Sequence, residues 1–451
     1  MFRRVPFAAV LAVVVAFSAV HSVRADVAAD LPQKPNILFL VADDLGWNDV
    51  GYHNPEIRTP HIDRLMKEGV ELDQHYVMPQ CTPTRVALLT GRYPSRFGNH
   101  CTQASNDQAA PVGTPMLSSV LKKHGYETAI MGKWHLGSKP EWGPQHYGFD
   151  HSYGAFAGAV GVYDHRYRLN TPYAKTWHRN HEYLEEEGHR DDLIAREAVG
   201  WIEKKRDAPF FLYMPFFAVH TPIAEPEEWH EKNAHIERPD RRAYAAAITH
   251  LDHLIGELIA ALDRGGQREN TLIVFTSDNG GLINYGGGAY PAPDPALRNF
   301  SSNEPLRGQK GQTYEGGMRV PAFVHWKGTL KPGKAAAPLH VVDWTPTLTK
   351  LVGAETKDVI DGDGRDIWPI VTGEETDPAP RTLYWVWGAN RERVALRHGD
   401  WKIVRNGRDR DLELFHLATD PNEERDRAAD EPETLGKLKA LFAAEQAKDK
   451  L

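Results

Sequence analysis

The chain has 451 residues, of which 25% are charged and 41% hydrophobic, a balance typical of a globular protein. That length is sufficient for one large α/β domain and a smaller second unit. The net charge of -8, without a cluster of basic residues, argues against a nucleic acid as the main partner, so an anionic ligand must be attracted by a local pocket.

Residues 1–25 are typical of a secretory signal peptide. A basic start precedes an apolar run from Phe7 to Val20, and Val23-Arg24-Ala25 is a small-residue cleavage site. The alternative is an uncleaved anchor, although the run is shorter than the ~20 residues that a membrane-spanning helix needs. We therefore expect an exported protein, periplasmic or secreted in a bacterium and lysosomal or secreted in a eukaryote, without membrane contact after cleavage.

Apolar runs alternate with helical patterns from residue 36 onward. The predicted strands are 36–42, 70–77, 126–131, 210–217 and 271–276, and the predicted helices are 59–67, 115–125, 191–205 and 241–262. Continuous apolar runs are typical of strands buried on both faces, and their alternation with helices indicates a mostly parallel sheet flanked by helices.

Polar residues follow four of these strands at the carboxyl end. They are Asp43 and Asp44, Lys133 and His135, His220, and Asp278 and Asn279. Because ligands of such sheets bind beyond the carboxyl ends of the strands, we expect these side chains to form one site. Separate turn and capping aspartates are the alternative explanation for the acidic residues.

Four of these residues offer only oxygen ligands, namely Asp43, Asp44, Asp278 and Asn279. Oxygen ligands favour a hard divalent cation, and a site made largely of protein groups suits the looser coordination of Ca²⁺ better than that of Mg²⁺. The residues thus predict a calcium site, with magnesium as the less favoured ion.

The segment Cys81-Thr-Pro-Thr-Arg85 follows the second predicted strand. Thr82 or Cys81 can cap a helix and Pro83 fits its first turn, which places the Cys81 side chain at a helix N-terminus, where unpaired N–H groups favour an anion. Arg85 is four residues further on and returns to the same face as a planar donor. The segment therefore predicts a site for an oxyanion.

This motif, with its continuation Leu89-Thr-Gly-Arg92, resembles the signature of the type I sulfatases. Leu40 to Gly51 and Gly132-Lys-Trp-His-Leu-Gly137 are similar to further segments of that family, in particular of its N-acetylgalactosamine-4-sulfatases. Lys310 to Arg319 is similar to another family segment, with Lys310 in the lysine position. The resemblance extends over most of the chain.

The resemblance implies hydrolysis of a sulfate ester, an alkaline-phosphatase-like fold, and oxidation of Cys81 to formylglycine by a formylglycine-generating or other sulfatase-maturing enzyme. The implied calcium ligands are Asp43, Asp44, Asp278, Asn279 and the formylglycine oxygen at position 81. The implied catalytic residues are Cys81, Arg85, Lys133, His135, His220 and Lys310, of which Arg85, Lys133, His220 and Lys310 also bind substrate. The substrate is expected to be a sulfated saccharide or an aryl sulfate.

The chain has two cysteines, Cys81 and Cys101. In an exported protein the ordinary expectation is a disulfide between them. A formylglycine precursor at position 81 excludes that bridge, and a disulfide explains neither Pro83 nor Arg85. We therefore favour the precursor.

Two further features have ordinary alternatives. Trp134, between two predicted site residues, can stack on a sugar ring of the substrate or pack in the core. His250, Asp252 and His253 have a helical spacing that allows metal binding, but such mixtures usually mark a solvated helix face. Asn299-Phe-Ser301 is a glycosylation sequon only in a eukaryotic protein.

The composition changes near Glu375. Short strands at 382–387, 394–397, 402–404 and 412–415 predict an antiparallel sheet, followed by a helix over 432–448. The expected organisation is a signal peptide at 1–25, a catalytic domain at 26–374 and a small domain at 375–451. The expected fold class is α/β, with a large mixed, mostly parallel sheet flanked by helices and a smaller C-terminal α+β domain that contains an antiparallel sheet.

Two other functions remain open. A phosphoester hydrolase of the same fold would more often use a serine or threonine nucleophile and metal ligands that include histidine. A non-catalytic protein that binds sulfated glycans would have the same pocket with an unmodified Cys81.

Overall fold

The structure is a computed structural model that describes residues 34–168, 172–283, 300–354 and 362–450. The predicted signal peptide at 1–25 and Asn299 of the sequon lie outside the described residues. Residues 34–451 form one compact unit. The boundary between 374 and 375 stays a prediction.

Strands and helices alternate through most of the described chain. The strands are β1 Asn36–Ala42, β2 Val70–Leu72, β3 His75–Tyr76, β4 Glu127–Lys133, β5 His151–Ala155, β6 Trp177–Arg179, β7 Glu182–Tyr183, β8 Phe210–Pro215, β9 Thr271–Ser277, β10 Ala322–His325, β11 Gly333–Ala335, β12 Leu339–His340, β13 Thr382–Trp387, β14 Arg393–His398, β15 Trp401–Asn406 and β16 Glu413–His416. The helices are α1 Pro60–Lys67, α2 Cys81–Thr90, α3 Leu117–Lys123, α4 Arg190–Ile202, α5 Glu227–Lys232, α6 Pro239–Arg264, α7 Glu315–Met318, α8 Trp344–Leu351, α9 Trp368–Val371 and α10 Pro432–Gln446.

A ten-stranded sheet dominates the part of the chain that the structure describes, in the order β11-β2-β10-β9-β1-β8-β4-β5-β6-β7. β1 lies near the middle and pairs in parallel with β8 and β9, whereas β10 is antiparallel to β9. The carboxyl ends of β1, β4, β8 and β9 therefore meet at one edge. The predicted large mixed, mostly parallel sheet is confirmed.

The side chains of β1 alternate between two hydrophobic cores. Ile37, Phe39 and Val41 belong to the core that contains α2, and Leu38, Leu40 and Ala42 belong to the core that contains α6. Burying a large apolar side chain of this kind contributes roughly 1.5–3 kcal/mol, so a strand with two apolar faces is stable only between two layers.

The predicted strand at 70–77 is interrupted in the structure. Asp73 and Gln74 form a turn between β2, which joins the large sheet, and β3, which pairs with β12. The sequence analysis also missed β5, β6 and β7 at the sheet edge. They are short, and β7 is exposed on both faces, so their apolar pattern is weak.

Helix α6 is the one helix among the described residues that is long and apolar enough to cross a membrane, but most of it is buried in the core. The solvated face predicted around His250 and Asp252 is wrong for these two side chains. Asp252 is 1% exposed and accepts hydrogen bonds from the backbone N–H groups of His61 and Ile62 in α1. His253 is exposed, as predicted.

A separate antiparallel sheet, β13-β14-β15-β16, confirms the predicted C-terminal sheet. Its link to α7 is a buried ion cluster, in which Lys402 Nζ lies 2.7 Å from Glu315 Oε1 and 2.8 Å from Glu423 Oε1. Burial raises the pKa of Glu423 to about 7, although Lys402 opposes that shift. Lys402 is therefore the cation that the two buried carboxylates share, and Arg397 and Arg319 add positive charge near Glu315.

We expect Lys402→Ala to lower the free energy of unfolding by about 3–5 kcal/mol, because it removes the cation that contacts both buried carboxylates. Urea-induced unfolding would measure the change. Lys331→Ala, at an exposed lysine, is the matched control and should change stability by less than about 0.5 kcal/mol. Equal stability of the two variants would contradict this account of the ion cluster.

Candidate active site

Three buried aspartates meet at the carboxyl edge of the large sheet, each beside a cation from another element. Lys133 Nζ at the end of β4 lies 2.6 Å from Asp43 Oδ2, and Lys310 Nζ lies 2.6 Å from Asp44 Oδ1.

The third aspartate, Asp278, pairs with Arg85 of α2. Arg85 Nη2 and Nε donate to Asp278 Oδ2 at 2.8 and 3.2 Å. Arg85 Nη1 also donates to the carbonyl oxygen of Lys133 at 2.6 Å. The guanidinium has five N–H donors and a permanent positive charge, which suit its contacts with the ends of both β4 and β9.

The acidic cluster has free oxygen atoms that fit a cation. Within the described residues, Asp43 Oδ1 and Asn279 Oδ1 are buried without a hydrogen-bond partner. Burial and the nearby Asp278 raise the pKa of Asp43 to about 7, whereas Lys310 and His220 hold the pKa of Asp44 below its ordinary value, against the effect of burial. A divalent cation would satisfy the two oxygens and relieve the crowding of carboxylates, so the residues present fit the metal that the donor set predicts.

Helix α2 presents Cys81 to this cluster from its first position. Its N-cap is Gln80 in an extended conformation rather than the predicted Thr82 or Cys81, because the hydroxyl of Thr82 instead donates to the carbonyl oxygen of His135 at 3.1 Å. Arg85 lies one turn on, and all ten helix residues are buried. Burial raises the pKa of the Cys81 thiol.

The two cysteines are separate in the structure. Cys81 and Cys101 are both free thiols. Cys101 donates from Sγ to the carbonyl oxygen of Ala109 at 2.6 Å, and burial raises its pKa to about 12. The disulfide alternative therefore has no support in this structure.

The His135 imidazole reaches the site by packing directly against the backbone of Gly158. His135 has a φ of 55°, and its backbone N–H donates to the carbonyl oxygen of Phe156 at 2.9 Å. Burial, with Lys133 nearby, holds the pKa of His135 well below its ordinary value, so the imidazole is neutral. A Cβ atom added to Gly158 would lie 2.1 Å from His135 Nε2, so glycine is required for this approach.

His220 presents Nε2 to the site. Its Nδ1 lies 2.5 Å from the carbonyl oxygen of Thr221, which can only accept, so Nδ1 carries the proton. Nε2 lies 3.7 Å from Asp44 Oδ2. Burial and Lys310 lower the pKa of His220 well below its ordinary value, against the effect of Asp44.

A cavity of about 530 Å³ opens above these groups. Its lining residues are Gln80, Cys81, Ala104, Ser105, Asn106, Asp107, His135, Gly158, Ala159, Tyr167, Pro172, Tyr173, His220 and Lys310. Asn106 and Asp107 form part of the polar wall, and they lie in the loop 99–113, which the sequence predicts to contact the sugar without singling out these two residues. Such loop residues have no strand beside them that would have marked their position.

Trp134 does not line the cavity. Its side chain is 1% exposed and packs against Tyr147 and Phe149, and its Nε1 donates to the carbonyl oxygen of Trp142 at 2.9 Å. The indole is a core group, and the predicted stacking on a substrate sugar is not part of the site.

Comparisons with known proteins found similar sequences and a similar structure. A family model described as Sulfatase matches residues 35–354. Arylsulfatase J of Mus musculus is 35% identical over 349 residues, which is 75% of this chain and 56% of that protein, so the chain spans little more than half of that relative. N-acetylgalactosamine-6-sulfatase of Canis lupus familiaris is 34% identical over 379 residues, 79% of this chain and 70% of that protein.

A solved structure, described as Ps i-CgsB in complex with k-i-k-neocarrahexaose, superposes with a TM-score of 0.82 at 31% identity. The match covers 93% of this chain and 94% of that one. It confirms the alkaline-phosphatase-like fold with its C-terminal antiparallel sheet.

We expect Gly158→Ala to displace the His135 imidazole from the cavity wall, because the added methyl group would overlap the ring. A crystal structure of the variant, or the NMR signals of His135, would report the displacement. Gly200→Ala is the control, because open space surrounds Gly200 in α4 and alanine should stabilise an exposed helix position by about 0.5–1 kcal/mol. An unmoved His135 in the first variant would contradict the steric argument.

Proposed function

The chain belongs to the sulfatase family, and we propose that it hydrolyses sulfate esters of a carbohydrate with a nucleophile formed from Cys81. The observation that carries the proposal is the position of Cys81. It begins a buried helix, lines the cavity, and lies within a group of cationic side chains and histidines. The N-terminus of this helix and the surrounding cations together favour the binding of a tetrahedral oxyanion.

The nucleophile is proposed to be formylglycine, made from Cys81 by a sulfatase-maturing enzyme. The thiol itself is a poor candidate, because burial raises its pKa and leaves it protonated at neutral pH. The hydrated aldehyde supplies a hydroxyl that attacks sulfur and a second hydroxyl that later lets sulfate leave by elimination. Attack by water on a sulfated residue is then unnecessary.

The cations of the site are proposed to bind the sulfate group. Lys133 and Lys310 would contact its oxygens and stabilise the charge that develops in the transition state. Arg85 would hold the nucleophile, and it is paired with Asp278. Asp278 is the proposed acceptor of the proton of the attacking hydroxyl.

Asp43, Asp44, Asp278 and Asn279 would hold the divalent cation, which we propose to be Ca²⁺ rather than Mg²⁺. Each of the four offers a side-chain oxygen atom as a ligand. Among the described residues, Asp43 Oδ1 and Asn279 Oδ1 are buried without a hydrogen-bond partner. When bound, the cation supplies positive charge next to position 81 and favours the ionised form of the nucleophile.

The two histidines are proposed to transfer protons. His220 Nε2 faces the cavity, and an anionic ester beside it would raise its pKa so that it donates a proton to the leaving oxygen, with Lys310 as a second donor. His135 is neutral and has an unpartnered Nδ1 within the described residues. It would accept the proton of the second hydroxyl as sulfate leaves.

The substrate is proposed to be a sulfated galactose-type sugar. One relative is named for N-acetylgalactosamine 6-sulfate, and one structural neighbour carries a neocarrahexaose in its title. The motif resemblance favoured N-acetylgalactosamine 4-sulfate, and the relatives do not single out that position. Asn106, Asp107 and Tyr173 line the outer cavity and offer hydrogen bonds to hydroxyl groups of a sugar.

We expect the peptide that contains residue 81, from protein matured in its native host, to be about 18 Da lighter than the cysteine form, since a thiol side chain has become an aldehyde. The same preparation should release sulfate from the 4-sulfate or 6-sulfate of N-acetylgalactosamine, or from a sulfated galactan oligosaccharide. An unmodified thiol would favour the glycan-binding alternative. Faster cleavage of the matching phosphate ester would favour the phosphoester hydrolase.

We expect Cys81→Ser to abolish multiple turnover, because a serine hydroxyl can accept sulfate but has no second hydroxyl to expel it. Sulfate release assays and intact mass would follow the loss and any trapped sulfated chain. Cys101→Ser, outside the cavity, should keep turnover. Full multiple turnover by an unmodified Cys81→Ser protein would refute the elimination step.

We expect Ca²⁺ to raise the melting temperature, and to raise it more near pH 8 than near pH 5. The pKa of Asp43 is raised in the folded chain from 3.8 to about 7, so the folded state binds its proton more tightly than the unfolded state. Without metal, stability is therefore lost as pH rises from about 4 to about 7, and a bound cation restores it. Asp43→Asn should weaken the calcium effect, and an equal effect at both pH values would contradict the assignment.

A further inference from the structure

The first residues of α4 contact residues 216–225, which follow β8 and carry His220. We call these residues the His220 segment. Asp191 Oδ1 accepts hydrogen bonds from the backbone N–H groups of Phe217 at 2.9 Å and Ala218 at 3.3 Å. These two residues connect β8 to His220. Asp191 is itself buried, so the connection is held from inside the core.

Arg190 holds the next part of the same segment. Its Nη2 donates to the carbonyl oxygens of His220 at 2.9 Å and Pro222 at 3.1 Å, and its Nη1 donates to that of Val160 at 2.6 Å. Its Nε lies 3.2 Å from Asp191 Oδ2, which orients the guanidinium. Arg190 is 3% exposed, so these contacts are shielded from water.

The far end of the segment is held at Glu225. His250 Nδ1 lies 2.6 Å from Glu225 Oε2, and His250 Nε2 lies 2.7 Å from Asp192 Oδ1. His189 Nε2 lies 3.5 Å from Glu225 Oε1. His250 thus links the end of the His220 segment to the first turn of α4.

The side chains of His189, Glu225 and His250 are close enough to hold a metal ion, but their hydrogen bonds argue against one. His189 Nδ1 accepts the backbone N–H of Asp191 at 3.3 Å, so its Nε2 carries the proton and has no lone pair for a metal. Both nitrogens of His250 face carboxylates. The group is better explained as a set of charged hydrogen bonds that holds two elements together.

We propose that His189–Asp192 is a positioning segment that sets the place of the His220 imidazole, with Arg190 as its main contact. The proposal rests on the function proposed above, in which His220 donates a proton to the leaving oxygen. Arg190 does not touch the cavity. It acts through the backbone on both sides of Thr221.

The position of the His220 imidazole depends on the backbone around it, because of the contacts that the ring makes. Its Nδ1 is bonded to the carbonyl oxygen of Thr221, so the ring turns with that peptide. Nε2 faces the cavity, where the nearest carboxylate oxygen is 3.7 Å away and does not fix the ring. Displacing a catalytic group by about 1 Å can cost roughly 100-fold in rate.

The test measures how steeply the rate depends on the leaving group, with matured full-length protein and a series of phenyl sulfates whose phenols differ in acidity. An efficient proton donor makes the rate nearly independent of phenol acidity. His220→Ala should therefore lose about 100-fold or more on the poorest leaving group and much less on 4-nitrophenyl sulfate. Its plot of rate against phenol pKa becomes steep.

Arg190→Gln and Glu225→Gln should give an intermediate slope, with a loss of about tenfold or more on the poorest leaving group. Arg190→Lys should restore the shallow slope of the original protein only in part, because one ammonium group cannot reach both carbonyl oxygens as the guanidinium does. Arg196→Gln, at an exposed arginine of the same helix, should keep the original slope. Circular dichroism and melting temperature identify variants that fail to fold.

The outcomes separate the two proposals. An unchanged slope in His220→Ala would overturn the acid role of His220 and so the proposed mechanism. A steep slope in His220→Ala, with the original slope in both folded Arg190→Gln and Glu225→Gln, would overturn the positioning role alone. A metal ion retained by the purified protein and lost with Glu225→Gln would also overturn it.

Discussion

The burial of three aspartates at one edge of the sheet is the constraint on which the site depends. A buried carboxylate is costly unless it is paired, and each of these is paired with a cation from another part of the chain. Lys133 comes from β4, Arg85 from α2, and Lys310 from the loop before α7. The ion pairs therefore hold together elements that are far apart in sequence, and they do so at the cavity.

The same cations are proposed to bind sulfate, which connects metal binding to substrate binding. Lys133 and Lys310 are engaged by Asp43 and Asp44. A divalent cation between the aspartates would take over part of this neutralisation, and the two ammonium groups would be more available to an anionic ester. Burial and the nearby Asp278 raise the pKa of Asp43, and a cation bound beside this carboxylate would lower that pKa again.

The C-terminal sheet contributes to the site although it carries none of the proposed catalytic residues. Arg393 of β14 donates from Nη1 to the carbonyl oxygen of Gly311, next to Lys310. Glu315 lies five residues after Lys310, and Lys402 of β15 is paired with it in the buried ion cluster. The loop that carries Lys310 is thus supported on its outer side by this sheet, which gives the C-terminal residues a structural reason to be present.

The sequence by itself determined the central parallel strands β1, β4, β8 and β9 and the oxyanion motif, because both are local. An apolar run followed by polar residues predicts where a parallel strand ends, and Cys81 and Arg85 are brought together by one helical turn. Tertiary structure decided the rest. Asp252 and His250 are buried by α1 and by the segment after β8, Trp134 is covered by core aromatics, and Gly158 admits His135. These outcomes depend on contacts between segments distant in sequence, which no local pattern records.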